Sequence, residues 1–449
     1  PFKITKLLEE IDEIIANNNL QFVEHNVQEV VKGDSINIIF NINEGEKVLV
    51  ERVNITGNSV TNESVIRGEL LIDEGDPFTN LVLDKSVAKI KSRRIFNNVT
   101  TKVSEGSSKD LKVIEIAVEE KPTGEISAGA GIGTNGGSFA FNVQENNWLG
   151  QGKNVGFNID VDQDSIQGTI NYSDPNYDFL GNSLNYSLSN STNDKPDQGY
   201  ENTVTSAGVS TSFEQYKDVF ASLGLSASYD DLKTTTGASD SLKKQSGTFS
   251  EFVGRYGFSL DKRNRSFMPT SGSIFKFNQS LPIYADKSFI ANTVSSSSYN
   301  KISENVVGAV KVYASNVTGL SNDDVRLNKR RYLSSKRLRG FQKGKVGPVD
   351  GKDHVGGNTA ASINFEASLP NFLPESTKTD VGLFLDFGNV WGVDYDDGLD
   401  DSNKIRSSTG AAANWLSPIG PMSFVFSKNI TKASTDKTES FNFNLGTTF

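Results

Sequence analysis

Val381-Gly382-Leu383-Phe384-Leu385-Asp386-Phe387-Gly388-Asn389-Val390-Trp391 alternates in the way a β-strand does, with successive side chains on opposite faces. Val381, Leu383, Leu385 and Phe387 fall on one face, and Gly382, Phe384, Asp386 and Gly388 fall on the other. An apolar stripe backed by a carboxylate, a ring and glycines fits a barrel strand with lipid outside and a lumen inside. A possible partner for that carboxylate lies upstream in Lys336-Arg337-Leu338-Arg339-Gly340-Phe341. These residues sit in a long polar segment, about 317–356, that reads as free of strands; loops of that length are usually functional or disordered. Arg339 offers a planar fork of donors, Gly340 permits a positive φ, and Phe341 needs a dry site. Two readings stand at this point. The tripeptide is a solvated loop tip, or the loop folds back inside a barrel and brings Arg339 to Asp386 and Phe384.

Composition narrows the class. The chain has 449 residues, long enough for two or more units. Hydrophobic residues make up 36%, and no apolar run is long enough for a transmembrane helix. A barrel is still allowed, because alternating strands average out as polar. The 40 glycines, 28 phenylalanines and 12 tyrosines suit that class. A net charge of −10 argues against a nucleic-acid partner. With no cysteine there is neither a disulfide framework nor a thiolate metal site. The chain opens at Pro1 on a helical pattern, without an initiator Met or signal peptide, which suggests a mature or truncated chain with material missing upstream.

Residues 1 to about 122 read as α+β. Leu7, Leu8, Ile11, Ile14 and Ile15 recur at helical spacing, and Ser35 to Ile42 alternates as a strand. Residues 1–46 are too short for a whole domain and read as the tail of one. Residues 47–121 read as a complete unit. It has a strand from Val48 to Ile55, a helix from Asn62 to Leu71 with Asn62 as a candidate N-cap, and a helix opening at Gly75-Asp76-Pro77-Phe78 and running to about Arg94. Strands Val99–Val103 and Leu111–Val118 complete it. From Gly124 the texture changes to alternating segments separated by Asn, Asp, Gly, Ser and Pro. Leu223, Leu225, Ile363 and Phe365, for example, oppose Gly224, Ser226, Asn364 and Glu366. The remaining stretch divides into about 16 strand-plus-turn units of ~20 residues.

Several motifs then converge. The β-α-α-β-β order with Val-x-Ile-x-Gly-Asn and Gly-Asp-Pro-Phe resembles a POTRA domain, with Ile95 where a glycine usually precedes the aromatic residue. Leu338-Arg339-Gly340-Phe341, Phe384-x-Asp386-x-Gly388-x-x-Trp391, Asn147-Trp148-Leu149-Gly150-x-Gly152, Asp174-Pro175-x-Tyr177, Asp261-x-Arg263-Asn264 and Trp415-x-Ser417-Pro418 resemble, in order and spacing, the BamA family. These are the central subunits of the bacterial outer-membrane β-barrel assembly machinery. The resemblance covers essentially the whole chain; Leu338 stands where Val is commoner. It implies α+β POTRA domains in the periplasm followed by a 16-stranded antiparallel transmembrane β-barrel over residues 122–449, the number the spacing also suggests (about 16). It further implies a long loop inserted into the lumen, with Arg339 bonded to Asp386 and with Phe341 and Phe384 packed around the pair.

The resemblance implies a function too: a non-enzymatic insertase that assembles unfolded outer-membrane β-barrel clients. Its partners would be periplasmic accessory lipoproteins, one of them contacted through Glu69, and outer-membrane lipid. A two-partner-type secretion pore shares POTRA units and the loop motif, and is the alternative; a passive porin would lack POTRA units.

Barrel closure requires the first strand to meet the last. Glu125 to Gly133 sets Ser127, Gly129, Gly131 and Gly133 inward, with Ile126, Ala128, Ala130 and Ile132 outward. Glycines forgo cross-strand pairs worth about 0.2–1 kcal/mol each, so a weak seam is expected between this strand and Phe441, Phe443, Gly446 and Phe449. The same glycines also fit a site of tight curvature. The terminal Phe449 resembles the C-terminal signal of outer-membrane proteins.

No cofactor, metal or catalytic site is expected. Gly131-x-Gly133-x-x-Gly136 matches a dinucleotide fingerprint literally, but a strand follows it rather than a helix, so no nucleotide is expected. Asp394, Asp396, Asp397, Asp400 and Asp401 lack EF-hand spacing and read as a solvated loop. His25 and His354 sit in no triad or zinc pattern, and Trp148 and Trp391 read as interfacial girdle residues.

Overall fold

The computed structural model describes all residues except 1–6, 9–10, 12–13, 16–22, 33–34, 45–47, 135, 179, 267, 322, 371, 374–376, 378, 396–398, 400–402, 418–419 and 446–449. It divides into two compact units. One comprises Pro1–Gly124 with Glu145–Asn154, and the other comprises Glu125–Gln144 with Val155–Phe449. The first unit thus takes the turn at 145–154 in addition to the N-terminal segment.

In the first unit, Leu7, Leu8, Ile11, Ile14 and Ile15 are helical, and β1 (Val23–Lys32) pairs antiparallel with β2 (Ser35–Glu44). The second part holds β3 (Leu49–Thr56), α1 (Glu63–Arg67), α2 (Asn80–Ser92), β4 (Phe96–Glu105) and β5 (Leu111–Glu120). β5 lies between β3, parallel to it, and β4, antiparallel to it. Val50 and Val53, which a bulge brings to one face, and the alternate residues Ile114 and Ile116 close a core with Ile66, Leu83 and Ile90 from the helices. α1 is shorter than its sequence pattern. Asn62 stands at its N-cap without a side-chain cap bond, whereas Thr79 caps α2 by accepting from the Val82 N–H at 3.2 Å. Where the family places glycine, the left-handed turn falls one residue earlier, on Arg94 (φ 57°), and Ile95 is buried.

Asn147 in the 145–154 turn donates to the Thr61 hydroxyl at 2.9 Å, and the Asn62 N–H donates to the Gly150 carbonyl at 2.8 Å. Those bonds explain why the turn clusters with the α+β unit.

The second unit is a closed antiparallel barrel of 16 strands. Its first eight strands are β6 (Gly124–Gly133), β7 (Gly136–Trp148), β8 (Lys153–Asp162), β9 (Ser165–Asp174), β10 (Ser183–Lys195), β11 (Tyr200–Tyr216), β12 (Val219–Thr234) and β13 (Gly247–Asp261). β14 (Gly272–Ala285), β15 (Phe289–Ser303) and β16 (Val306–Gly319) follow. The inserted loop then carries a two-residue hairpin, β17 (Val349–Asp350) with β18 (Asp353–His354). β19 (Thr359–Ser368), β20 (Thr379–Trp391), β21 (Arg406–Ser417), β22 (Gly420–Thr431) and β23 (Phe441–Leu445) complete the wall.

The segment read as strand-free is therefore shorter than expected, since β16 runs to Gly319, and it contains that small hairpin, on which His354 is buried. Gly131, Gly133 and Gly136 belong to a strand-turn-strand rather than a strand-to-helix turn. Leu223, Leu225, Ile363, Phe365, Leu383 and Phe426 remain exposed on the outer face, an apolar surface that hydrocarbon would cover. No helix among the described residues is long and apolar enough to cross a membrane.

Candidate functional site

The inward face of β20 carries Phe384, Asp386 and Gly388, all buried, as the two-residue period dictates. Register places Asp386 between Asn364 on β19 and Ser408 on β21, and places Phe384 opposite Glu366. The inserted loop lies against this wall. Arg339 donates from Nε to Asp386 Oδ2 at 2.7 Å and from Nη2 to Asp386 Oδ1 at 2.6 Å, and its backbone N–H reaches Oδ2 at 3.0 Å. This two-pronged, charge-assisted geometry is the strong form of the interaction. The Asp386 side chain has no exposed surface, and the guanidinium carbon stands 3.9 Å from the centroid of the Phe384 ring.

A second carboxylate completes the hub. Glu366 Oε1 lies 3.0 Å from Arg339 Nη2, and Glu366 Oε2 lies 2.5 Å from Lys311 Nζ on β16. Two cations thus meet two anions, so the buried charges compensate. Burial alone would lower the Arg339 pKa; the hydrogen bonds and field of Asp386, with those of Glu366, reverse the sign and raise it. Asn364 holds the Arg337 carbonyl at 2.8 Å, and Arg337 stacks on the Tyr313 ring with its guanidinium carbon 3.3 Å from the centroid.

The rest of the tip explains its own residue types. Gly340 has φ +87°, and a Cβ there would lie 3.2 Å from both the Asn429 amide and the Ser427 hydroxyl. Its carbonyl accepts from Asn429 Nδ2 at 2.9 Å, and the Ser408 hydroxyl donates to the Arg339 carbonyl. Phe341 is 1% exposed and packs with Leu333, Leu338, Val346, Ala360 and Val390. Gly388 admits this cluster: a Cβ there would lie 2.9 Å from Leu333 and 3.4 Å from Leu338.

Two further anchors had no local signal in the sequence. On the opposite limb of the loop, Arg326 bonds Asp230 on β12 at 2.7 Å and Glu251 on β13 at 3.0 Å, and Lys329 bonds Glu251 at 2.6 Å. Arg406 at the start of β21 bonds Asp436 in the connection to the last strand, and neither side chain has exposed surface. Inward phase on an alternating strand singles out Asp230, Glu251 and Glu366 as lumenal carboxylates, but only register shows which cation each one meets.

At the seam, β23 and β6 are in register through Asn444 opposite Gly133 and Leu445 opposite Ile132 among the described residues. The Thr134 N–H donates to the Phe443 carbonyl at 3.0 Å, and Asn442 Nδ2 donates to the Thr134 hydroxyl at 2.6 Å. Gly133 allows this approach, since a Cβ would fall 2.5 Å from the Phe443 carbonyl oxygen. Gly129 and Gly131 are half-buried, whereas Ile126 and Ile132 are 76% and 62% exposed. On the other side of β23, the Phe441 and Phe443 rings stack on Phe426 and Phe424 at 5.0 and 5.2 Å. Gly446 and Phe449 lie outside the described residues, as do Asp396, Asp397, Asp400 and Asp401 of the acidic run.

Glu69 is placed otherwise than a surface contact residue. It is 7% exposed and lies 3.5 Å from Arg93, which donates to the Gly152 carbonyl. The short α1 ends at Arg67, so Glu69 turns inward instead of lining a solvated helix face. Among the described residues no cluster of His, Asp and Glu has the geometry of a metal site.

Comparison with known proteins places these features in a family. A family model described as the Omp85 superfamily domain matches residues 147–449, and one described as POTRA, surface antigen variable number repeat, matches residues 48–121. The chain is 24% identical to the outer membrane protein assembly factor BamA of Neisseria meningitidis serogroup B, over 100% of this chain and 62% of that protein. It is 26% identical to the BamA of Neorickettsia risticii, over 92% of this chain and 57% of that protein. It therefore spans under two thirds of the length of these relatives. Its fold matches the crystal structure of BamA from Haemophilus ducreyi lacking POTRA domains 1–3, with a TM-score of 0.80 at 22% identity, covering 100% of this chain and 93% of that one.

Proposed function

The chain belongs to the Omp85 superfamily, and from that membership we propose that it is an outer-membrane protein assembly factor that inserts β-barrel clients by templating their strands at its own seam. The barrel sits in the bacterial outer membrane, with the POTRA domain in the periplasm. The single observation that carries the mechanism is the glycine-rich edge that β6 presents to β23, where the paired residues among the described ones are Asn444 with Gly133 and Leu445 with Ile132. A strand edge with unpaired N–H and C=O groups is a template for another strand. Gly129, Gly131 and Gly133 leave this edge few cross-strand side-chain pairs to break.

The inserted loop has the complementary task. Leu338, Arg339, Gly340 and Phe341 fasten β19 to β22 from within, through Asp386, Glu366 and Asn429, so strain is directed to the seam. The activity calls for no covalent step and no nucleotide; folding of the client supplies the free energy. Partners are unfolded outer-membrane β-barrel proteins, accessory lipoproteins on the periplasmic side, and outer-membrane lipid. Glu69 works inside its own domain by holding Arg93, and an accessory contact would fall on the surrounding POTRA surface.

Reconstitution into liposomes with an unfolded outer-membrane protein tests the reading. Faster client folding with little small-solute leakage is the expected result. Leakage without faster folding would favour a secretion pore or a porin.

A further inference from the structure

We infer that the Arg406–Asp436 pair is a positioning latch that sets the register in which the last strand meets the first. Arg406 donates from Nε and Nη2 to Asp436, each at 3.0 Å, and from Nη1 to Asn389 Oδ1 at 2.5 Å and the Lys404 carbonyl at 2.7 Å. Asp436 Oδ2 also accepts from the Ala433 N–H at 2.6 Å, which fixes the connection between β22 and β23 on itself.

The three residues after Asp436 are bonded to the inserted loop, and Glu439 also accepts from the Ser427 hydroxyl of β22 at 2.9 Å. Gln342 donates its N–H to the Lys437 carbonyl at 3.0 Å, Phe341 forms a bridge with Thr438, and the Glu439 N–H donates to the Gly340 carbonyl at 3.1 Å. β23 starts at Phe441, and its pairs with β6 follow at Asn444 and Leu445. The chain is thus fixed from inside the barrel only a few residues before the seam.

Register is weakly specified in glycine-rich strands. β6 is such a strand, so it contributes little to holding β23 at one height. A slip of two residues would keep every side chain on its own face and bring Phe443 opposite Ile132, about 7 Å along the strand. Among the described residues, β22 opposes the slip over Met422–Phe426, and Ser427 extends that hold by donating its N–H to the Ser440 carbonyl at 2.8 Å. The latch supplies the stop at the other end. Its effect on client assembly rests on the seam reading above; its effect on register does not.

The chain has no cysteine, so disulfide trapping reports on register directly. Two parent proteins are prepared in native membranes, Ile132→Cys/Leu445→Cys and Ile132→Cys/Phe443→Cys, and brief oxidation is scored in each. The aligned pair is expected to cross-link faster than the slipped pair by about tenfold or more, and Asp436→Asn is expected to narrow that ratio to within about threefold. Arg406→Lys, which keeps the charge but loses the fork, narrows it in a barrel whose core is unaltered, and Asp436→Glu restores it. Leu242→Ala, in a separate buried cluster, loosens the barrel without moving the ratio. An unchanged ratio in Asp436→Asn and Arg406→Lys would show that β22 sets the register alone and would overturn the inference. So would an equal change in Leu242→Ala. A shifted ratio with undiminished client folding would fault the templating proposal and leave the latch standing.

Discussion

The wall from β19 to β22 and the wall at β23 and β6 belong to one closed antiparallel sheet, yet they are held by different means. The first is crossed on its inner face by a hub in which Arg339, Lys311, Asp386 and Glu366 compensate one another and Asn429 grips the Gly340 carbonyl. The second relies on Asn444 opposite Gly133 and Leu445 opposite Ile132 among the described residues. On the far side, β11 and β12 stay paired from Tyr200 and Thr234 to Tyr216 and Val219. The difference teaches that a closed sheet can be held by lumenal side chains and an inserted loop in addition to its ladder. The proposed seam lies where β6 offers glycines rather than larger side chains for cross-strand pairing.

The largest predicted effect comes from removing the brace. Arg339→Ala leaves Asp386 as a buried, unpaired carboxylate, at a cost of about 3–5 kcal/mol, reduced by any water that enters the lumen. A lower unfolding temperature by heat-modifiability, together with lost growth support, is the expected outcome. Unchanged values would erase the contrast between the two walls.

A smaller effect is expected at Gly340. Alanine there must adopt a left-handed φ of +87° with its Cβ 3.2 Å from the Asn429 and Ser427 side chains. A loss of about 1–2 kcal/mol in urea unfolding of the barrel is predicted.

The smallest effect lies in the POTRA domain, where a carboxylate is held by donors near water. Glu120 accepts from the N–H groups of Ser59, Val60 and Thr61 and from the Ser59 hydroxyl. Burial raises its pKa, but the hydrogen bonds from Thr61, Ser59 and Val60 outweigh that and lower it from 4.5 to about 2. The folded pKa is the depressed one, so the stabilisation is full above pH 4.5 and fades as the pH falls towards about 2. The protection of the Ser59–Thr61 amides against hydrogen exchange, relative to unstructured peptide at the same pH, should fall over that interval in the full chain. In Glu120→Gln it should already be reduced at neutral pH, for a loss of about 1 kcal/mol after allowance for solvent screening.

The barrel was legible because its signal is local and repeated. Ile363, Phe365 and their like alternate with polar residues every second position, and the register pairs agree with that phase. The Arg339–Asp386 geometry was legible through a motif whose glycine and aromatic residue have distinct physical requirements. The pairs Arg326–Asp230 and Arg406–Asp436 were not, because sequence shows each charge but not the register that brings two distant segments together. Glu69 misled for a related reason: α1 ends earlier than its apolar pattern, so a residue expected on a helix face is buried beside Arg93.

The measurement that bears most directly on the central claim is client folding by the Ile132→Cys/Leu445→Cys protein in liposomes, before and after reduction. These positions face each other across the seam, so oxidation closes it covalently. Client folding should stop in the oxidised protein and return with reductant. Full activity in the oxidised protein would contradict the account, because the strand edges it depends on would never have been exposed.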